Sequence, residues 1–150
     1  MGERYGQTGT MTVNTTTNNT MLRLTGSTTV IFKVYDLIFG PNVVPASGLI
    51  IYVAQRTTAA GTMTAVTPEP LDVARGLVAE VVAGSLATAE PTYAGAPALS
   101  IPLFSQSTQR WLAAPGGELI GARVASNGWG FASRSPAITT ATRCTAHHEE

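Results

Sequence analysis

Turn-forming residues interrupt this chain so often that no long regular element fits between them. Short apolar runs alternate with breaks rich in Gly, Pro, Asn and Ser roughly every 8 to 12 residues, the rhythm of an antiparallel β-sandwich or jelly roll. The last third shows it most plainly. GELIGARVAS (117–126) alternates Leu119, Gly121, Arg123 and Ala125 against Ile120, Ala122 and Val124, with PGG before it and SNG after it. WGFAS (129–133) is expected to pair back across that turn, and AITTATRCTA (137–146) puts Ile138, Thr140, Thr142 and Cys144 on one side of a closing strand.

The densest apolar run, TVIFKVYDLIFGPN (29–42), does not alternate strictly, because Lys33 and Asp36 fall on opposite parities. A helical spacing of Ile31, Val34, Tyr35 and Ile38 competes, but β-branched and aromatic content and the Gly40-Pro41-Asn42 stop favour a strand with a bulge or bend. SGLIIYVAQR (47–56) is apolar on both faces, as a strand covered on both sides requires, and with TMTAVTP (62–68) beyond Gly61 it predicts a β-hairpin. Pro68 and Pro70 end that sheet. Asp72 can cap one helical turn at 72–76, with a strand following at 77–83. TAEPTYAGAP (88–97) reads as a loop, ALSIPLFS (98–105) as a strand broken by Pro102, and STQRWLAAPGG (107–117) as a run into a turn.

Residues 7–29 are dominated by Thr and Asn, with Met11, Val13, Met21, Leu22 and Leu24 as their apolar anchors. Thr favours extended backbone and Asn favours turns, so this start reads as an extended arm leading to an edge strand near 20–25. The expected organisation is therefore all-β, with an N-terminal arm or edge segment over 1–25 and one β-sandwich domain over 26–150. A chain of 150 residues is long enough to bury a core without disulfides or metals.

Charged residues make up only 12% of the chain, about half the usual share, and the nine basic and nine acidic residues cancel. No long-range field gathers phosphate backbones or anionic lipid, so neither nucleic acid nor membrane is an expected partner. No apolar run reaches the length of a membrane-spanning helix, and no signal peptide is visible, so synthesis in a cytoplasm is expected. Cys144, the lone cysteine, is expected to be a buried thiol.

Catalytic signatures are missing: there is no G-x-S-x-G elbow, Walker loop or H-E-x-x-H helix, and Gly128-Trp129-Gly130 opens a strand rather than a helix. No two carboxylates are spaced for glycosidase chemistry, and histidine is confined to positions 147 and 148, so no enzyme, cofactor or metal is expected. Cys144, His147, His148, Glu149 and Glu150 are able ligands in principle. Adjacent histidines on a strand point to opposite faces, however, so a solvated tail is the expectation. Candidate interface or ligand-stacking residues are Trp111, Trp129, Arg56 and Arg110. Both tryptophans sit at strand–turn junctions, where rim contact and core packing are equally consistent with position.

Three stretches carry a resemblance: LIIYVAQRTTAAGTMTAVTPEPLD (49–72), EPTYAGAP (90–97) and WLAAPGGELIGARVAS (111–126), with a final Glu-Glu pair. They resemble small virion structural proteins of tailed bacteriophages over roughly residues 45–150, in pattern rather than through any chemical motif. The resemblance implies a β-sandwich that oligomerises, commonly as a homotrimer, on the capsid surface of the virion as a decoration or cement protein bound to the major capsid protein. A carbohydrate- or receptor-binding β-sandwich of a fibre or tail, with Trp111 or Trp129 as the stacking platform, is the alternative.

Overall fold

The computed structural model describes residues 2–14, 16–74 and 77–150, and every regular element among them is a strand. In chain order these are β1 Arg4–Val13, β2 Asn19–Thr25, β3 Phe32–Pro41, β4 Leu49–Ala59, β5 Thr62–Val66 and β6 Glu69–Pro70. They continue with β7 Val82–Ala89, β8 Thr92–Phe104, β9 Gln109–Leu112, β10 Leu119–Gly121, β11 Gly128–Arg134 and β12 Thr140–Glu149. Two antiparallel sheets pack face to face as a β-sandwich. One runs β10-β3-β12-β1-β6 with β9 also paired to β3, and the other runs β5-β7-β2-β11-β4-β8.

Alternation puts the core where the two sheets meet. On β12, Thr140, Thr142, Cys144, Ala146 and His148 are buried while the residues between them are more open. From β3 come Phe32, Val34, Leu37 and Phe39, and from the facing sheet Leu22, Leu24, Ile50, Tyr52 and Phe131, all essentially inaccessible. Each such side chain contributes about 1.5–3 kcal/mol by leaving water. Phe39 and Tyr52 meet across the sandwich with ring centroids 5.3 Å apart. Buried polar groups are stitched in as well: the Ser133 and Thr142 hydroxyls lie 2.8 Å apart between the sheets, and Thr142 also donates to the Met11 carbonyl at 3.0 Å. Cys144 is the expected buried thiol, and burial pushes its pKa well up.

The run at 29–42 is a strand with a bulge. His147 faces Asp36 but His148 faces Val34, so Tyr35 is the extra residue on β3. The bulge resolves the parity conflict of Lys33 and Asp36, since it lets Lys33, Tyr35 and Asp36 all face away from the core.

Several expectations are overturned. The edge strand expected near 20–25 is central: β2 lies between β7 and β11 with all seven residues buried, and ahead of it β1 pairs with β12 along its length and with β6 at Tyr5 and Gly6. Thr-rich strands can sit inside a sheet when their hydroxyls find partners, as the Thr25 hydroxyl does in donating to the Val82 carbonyl at 3.2 Å. Nor do residues 49–59 and 62–66 pair with each other. They are two halves of one bent strand that runs antiparallel to the β7–β8 segment throughout: Leu49 is opposite Phe104, Ala59 opposite Thr92, Thr62 opposite Ala89 and Val66 opposite Ala83. Gly61, at φ +64°, supplies the left-handed kink at the corner. Because both outer edges of that sheet belong to this one bent ribbon, the sheet curls over the outer side of β2 and β11. Arg23 on β2 fastens the corner by donating to the Ala60 carbonyl, and Glu90 accepts from the Thr20 hydroxyl and, at 3.1 Å, from the Thr20 amide.

The remaining corrections follow from pairing. Of residues 88–97, read as loop, 92–97 lie in β8, where Thr92, Tyr93 and Ala94 pair with β4. Pro102 does not break β8, which is an edge strand that needs no amide on its open side. Only Leu119–Gly121 of the run at 117–126 is strand, and it pairs with β3, whereas β11 pairs with β2 and β4 in the other sheet. The expected hairpin between 117–126 and 129–133 is therefore a crossing between sheets. At 72–76 the Asp72 carboxylate accepts from the Ala74 amide at 3.1 Å in a side-chain turn. Residues 75 and 76 lie outside the described residues, and the strand expected at 77–83 begins only at Val82.

Candidate functional site on the outer face of the β3–β12 sheet

The four residues singled out from the sequence do not converge. Trp129 is 7% exposed, and its indole N–H donates to the Ile120 carbonyl at 3.0 Å, so a side chain from one sheet is tied to the rim of the other. It is a wall of the chain's own sandwich and offers no open ring face. Trp111, opposite Leu37 on β9, packs half-buried against the core. Arg56 is exposed on β4 opposite Trp129 and Ala94. Arg110 belongs to a different constellation, which the sequence reading did not identify.

That constellation is built on the bulge. Asp36 has only 2% of its side chain exposed, although it lies on the solvent side of β3. Arg110 covers it with a bidentate pair, Nε to Oδ1 and Nη2 to Oδ2, both at 2.8 Å. His147 Nδ1 lies 2.8 Å from the same Oδ2. An ionised carboxylate only accepts, so the Nδ1 proton is on histidine. Burial alone would push the Asp36 carboxyl up, but the hydrogen bonds from Arg110 and His147 outweigh it and hold the pKa below the ordinary carboxylate value.

Tyr35 is clamped beside this pair. His147 stacks on one face of its ring, with centroids 6.3 Å apart and planes 26° apart, and the Arg4 guanidinium lies 5.7 Å from its centroid. Arg4 Nε is in turn 3.5 Å from Glu149 Oε2. Arg4, Lys33, Tyr35, Glu118 and Glu149 line an open pocket of about 310 Å³. Glu118 accepts from the Gly116 amide at 3.3 Å, and backbone hydrogen bonds with the nearby Lys33 lower its pKa. The site thus has a rigid floor of strands and a supporting layer, Asp36 and Arg110, that fixes the ring of His147.

A carboxylate–imidazole pair of this kind orients the base in acyl-transfer enzymes. Here the Nε2 edge of His147 abuts Gly6, where a Cβ would come within 2.9 Å of Cδ2 and 3.3 Å of Nε2. Among the described residues no hydroxyl or thiol hydrogen-bonds to that nitrogen, and no three His, Cys, Asp or Glu side chains are grouped to hold a metal.

The expected solvated tail is likewise overturned. β12 continues through Glu149, pairing with both β1 and β3, and the two histidines face opposite sides as strand geometry demands. His148 is fully buried, stacked on Tyr5 at 5.4 Å and edge-on to Phe32 at 6.0 Å. Its Nε2 meets Glu150 Oε1 at 3.2 Å, and the same carboxylate accepts from the Glu80 and Val81 amides at 3.0 Å each. One carboxylate therefore ties the end of β12 to the segment leading into β7.

Comparison with known protein families, with characterised proteins and with solved structures gives no match for this chain.

Proposed function

We propose that this chain is a structural protein of a tailed-phage virion, a decoration or cement protein that works as a homo-oligomer, a trimer by its resemblance, on the capsid surface and binds the major capsid protein. The observation that carries the reading is the surface left uncovered by a single copy. Val44, Val73 and Val78 are 94%, 83% and 83% exposed, and Phe104 and Leu49, opposite each other at the end of the β4–β8 ladder, are half-exposed. Neighbouring exposed apolar side chains, as Leu49 and Phe104 are, mark contact sites where they form a continuous patch.

The edge strand supports it. β8 is an edge strand of 13 residues without one charged side chain; Pro97 and Pro102 hinder strand pairing along it, so the contact it offers is through uncharged side chains. The low charge of the whole chain agrees, since interface cores are depleted in charged residues. Two of the three segments that resemble phage proteins are neighbours, since Thr92–Ala94 pair with β4 inside 49–72, while 111–126 belongs to the other sheet. On a shell each weak contact is repeated many times, so modest complementarity suffices.

The test combines light scattering on the purified chain with co-sedimentation against empty heads of the phage that encodes it. An assembly larger than a monomer that pellets with heads is the expected result. A monomer at every concentration that stays in the supernatant would overturn the proposal.

A further inference from the structure

The pocket beside Tyr35 has a chemistry that shell attachment does not use. Its lining includes no apolar side chain: Arg4, Lys33, Glu118 and Glu149 are charged, and Tyr35 presents a phenol. Lipids and apolar peptides find nothing to bury there. The charges are two of each sign, with Arg4 Nε 3.5 Å from Glu149 Oε2 and Lys33 and Glu118 lining the same pocket, so the pocket has no net charge to attract a polyanion. What remains is an array of hydrogen-bond donors and acceptors. Guanidinium and carboxylate groups each offer two parallel hydrogen-bonding positions, the geometry that matches a pair of neighbouring hydroxyls.

Three features argue for a built site. The β-bulge at Tyr35 turns that side chain out between Lys33 and Asp36, and bulges recur where a strand re-aims a functional side chain. Tyr35 packs against His147 and the Arg4 guanidinium. His147 is itself fixed by the buried Asp36, which Arg110 holds in place. The volume, about 310 Å³, lies at the small end of the range for small-molecule pockets. With His147 and the Arg4 guanidinium already packed on the Tyr35 ring, recognition is by hydrogen bonding.

We infer that this pocket binds a neutral saccharide through its hydroxyl groups, with Lys33 and Glu118 as the adaptable contacts and Arg4, Glu149 and the Tyr35 hydroxyl as the fixed ones. The site is separate from the apolar surfaces assigned to shell contact, so failure of either reading leaves the other standing.

Saturation-transfer NMR and calorimetry with glucose, mannose, galactose, N-acetylglucosamine and their disaccharides test it, beside glycine betaine and inorganic phosphate. The expected result is millimolar binding of at least one sugar, weakened about tenfold by Glu118→Gln and by Lys33→Ala, each of which removes a charged hydrogen-bond partner. Both side chains lie at the surface, and an unchanged melting temperature confirms that the variants fold. No sugar binding at tens of millimolar overturns the inference. So does sugar binding that both variants leave intact, or a preference for betaine or phosphate.

Discussion

Oδ2 of Asp36 receives two hydrogen bonds of 2.8 Å, one from Arg110 on the neighbouring edge strand and one from His147 on the central strand β12. A carboxylate that single-handedly joins three strands has energetic and pH consequences. Asp36→Asn keeps the shape but loses the charge that both partners need, and is expected to cost about 1–3 kcal/mol, less than a fully buried pair because Arg110 is largely exposed. The folded carboxyl titrates below its unfolded value, so its contribution is complete above the ordinary carboxylate pKa and is lost as pH falls through the folded one. Urea titrations at pH 7 and below pH 4 should show a wild-type advantage that shrinks in acid and is missing in Asp36→Asn.

Glu150 works on the inner side of the same strand end. Burial would raise its carboxyl, yet hydrogen bonds from His148 and the Glu80 and Val81 amides hold it below the ordinary value. Glu150→Ala strips two amides and one imidazole of their partner and should cost about 1–3 kcal/mol. Hydrogen exchange reads it locally: the Val81 amide should exchange faster in the variant, while amides in the centre of β11 should change only with global stability.

Trp129 and Trp111 should separate cleanly in fluorescence. In single-tryptophan variants, iodide is expected to quench Trp111 on the edge strand and to leave Trp129 largely untouched, given its 7% exposure. Trp129→Phe removes the indole hydrogen bond to Ile120 and should cost about 1–2 kcal/mol, and Trp129→Ala about 3–5 kcal/mol by leaving a cavity as well. A Trp129 that iodide reaches freely would contradict the position described here.

Gly61 and Gly95 offer a contrast within one ribbon. Both have positive φ, +64° and +69°. At Gly95 an added Cβ meets nothing within 4 Å, so Gly95→Ala should cost only the backbone strain, about 1 kcal/mol. At Gly61 the same Cβ would overlap the Ala89 carbonyl oxygen, so the corner between β4 and β5 must open. Thermal melts should place Gly61→Ala well below Gly95→Ala, and equal melting temperatures would mean that the ribbon does not bend tightly there.

How much of this was legible in the sequence depends on the reach of the interaction. Period-two alternation reports which residues share a face, and it gave the inward side of β12, while β-branched and aromatic density between turn residues located β3, β4 and β11. The parity conflict of Lys33 and Asp36 even signalled the bulge. Partner choice was not written locally. Gly61 and the Ser126-Asn127-Gly128 turn look like hairpin loops, but in the first case the chain bends and continues, and in the second it crosses to the other sheet, because the strands beside them had better partners elsewhere. The same holds for the site. Asp36, Arg110 and His147 are separated by 74 and 111 residues along the chain, so nothing short of the pairing of β9, β3 and β12 brings them together.

The Thr- and Asn-rich start makes the same point from the other side. Its composition lacks the apolar density of a central strand, yet β2 is wholly buried, because the core covers one face and the bent ribbon, through Ala60, Glu90 and Tyr93, covers the other. By itself the sequence determined an all-β chain of short strands, poor in charge, with its lone thiol inside. Those properties are sums over local preferences: β-branching, alternation and the frequency of turn residues. The tertiary structure alone decided which strands are central and which are edges, and that two histidines from an unremarkable end segment became one buried clasp and one polished surface. Burial and hydrogen-bond satisfaction are settled between residues far apart in the chain, and only the folded pairing brings those residues together.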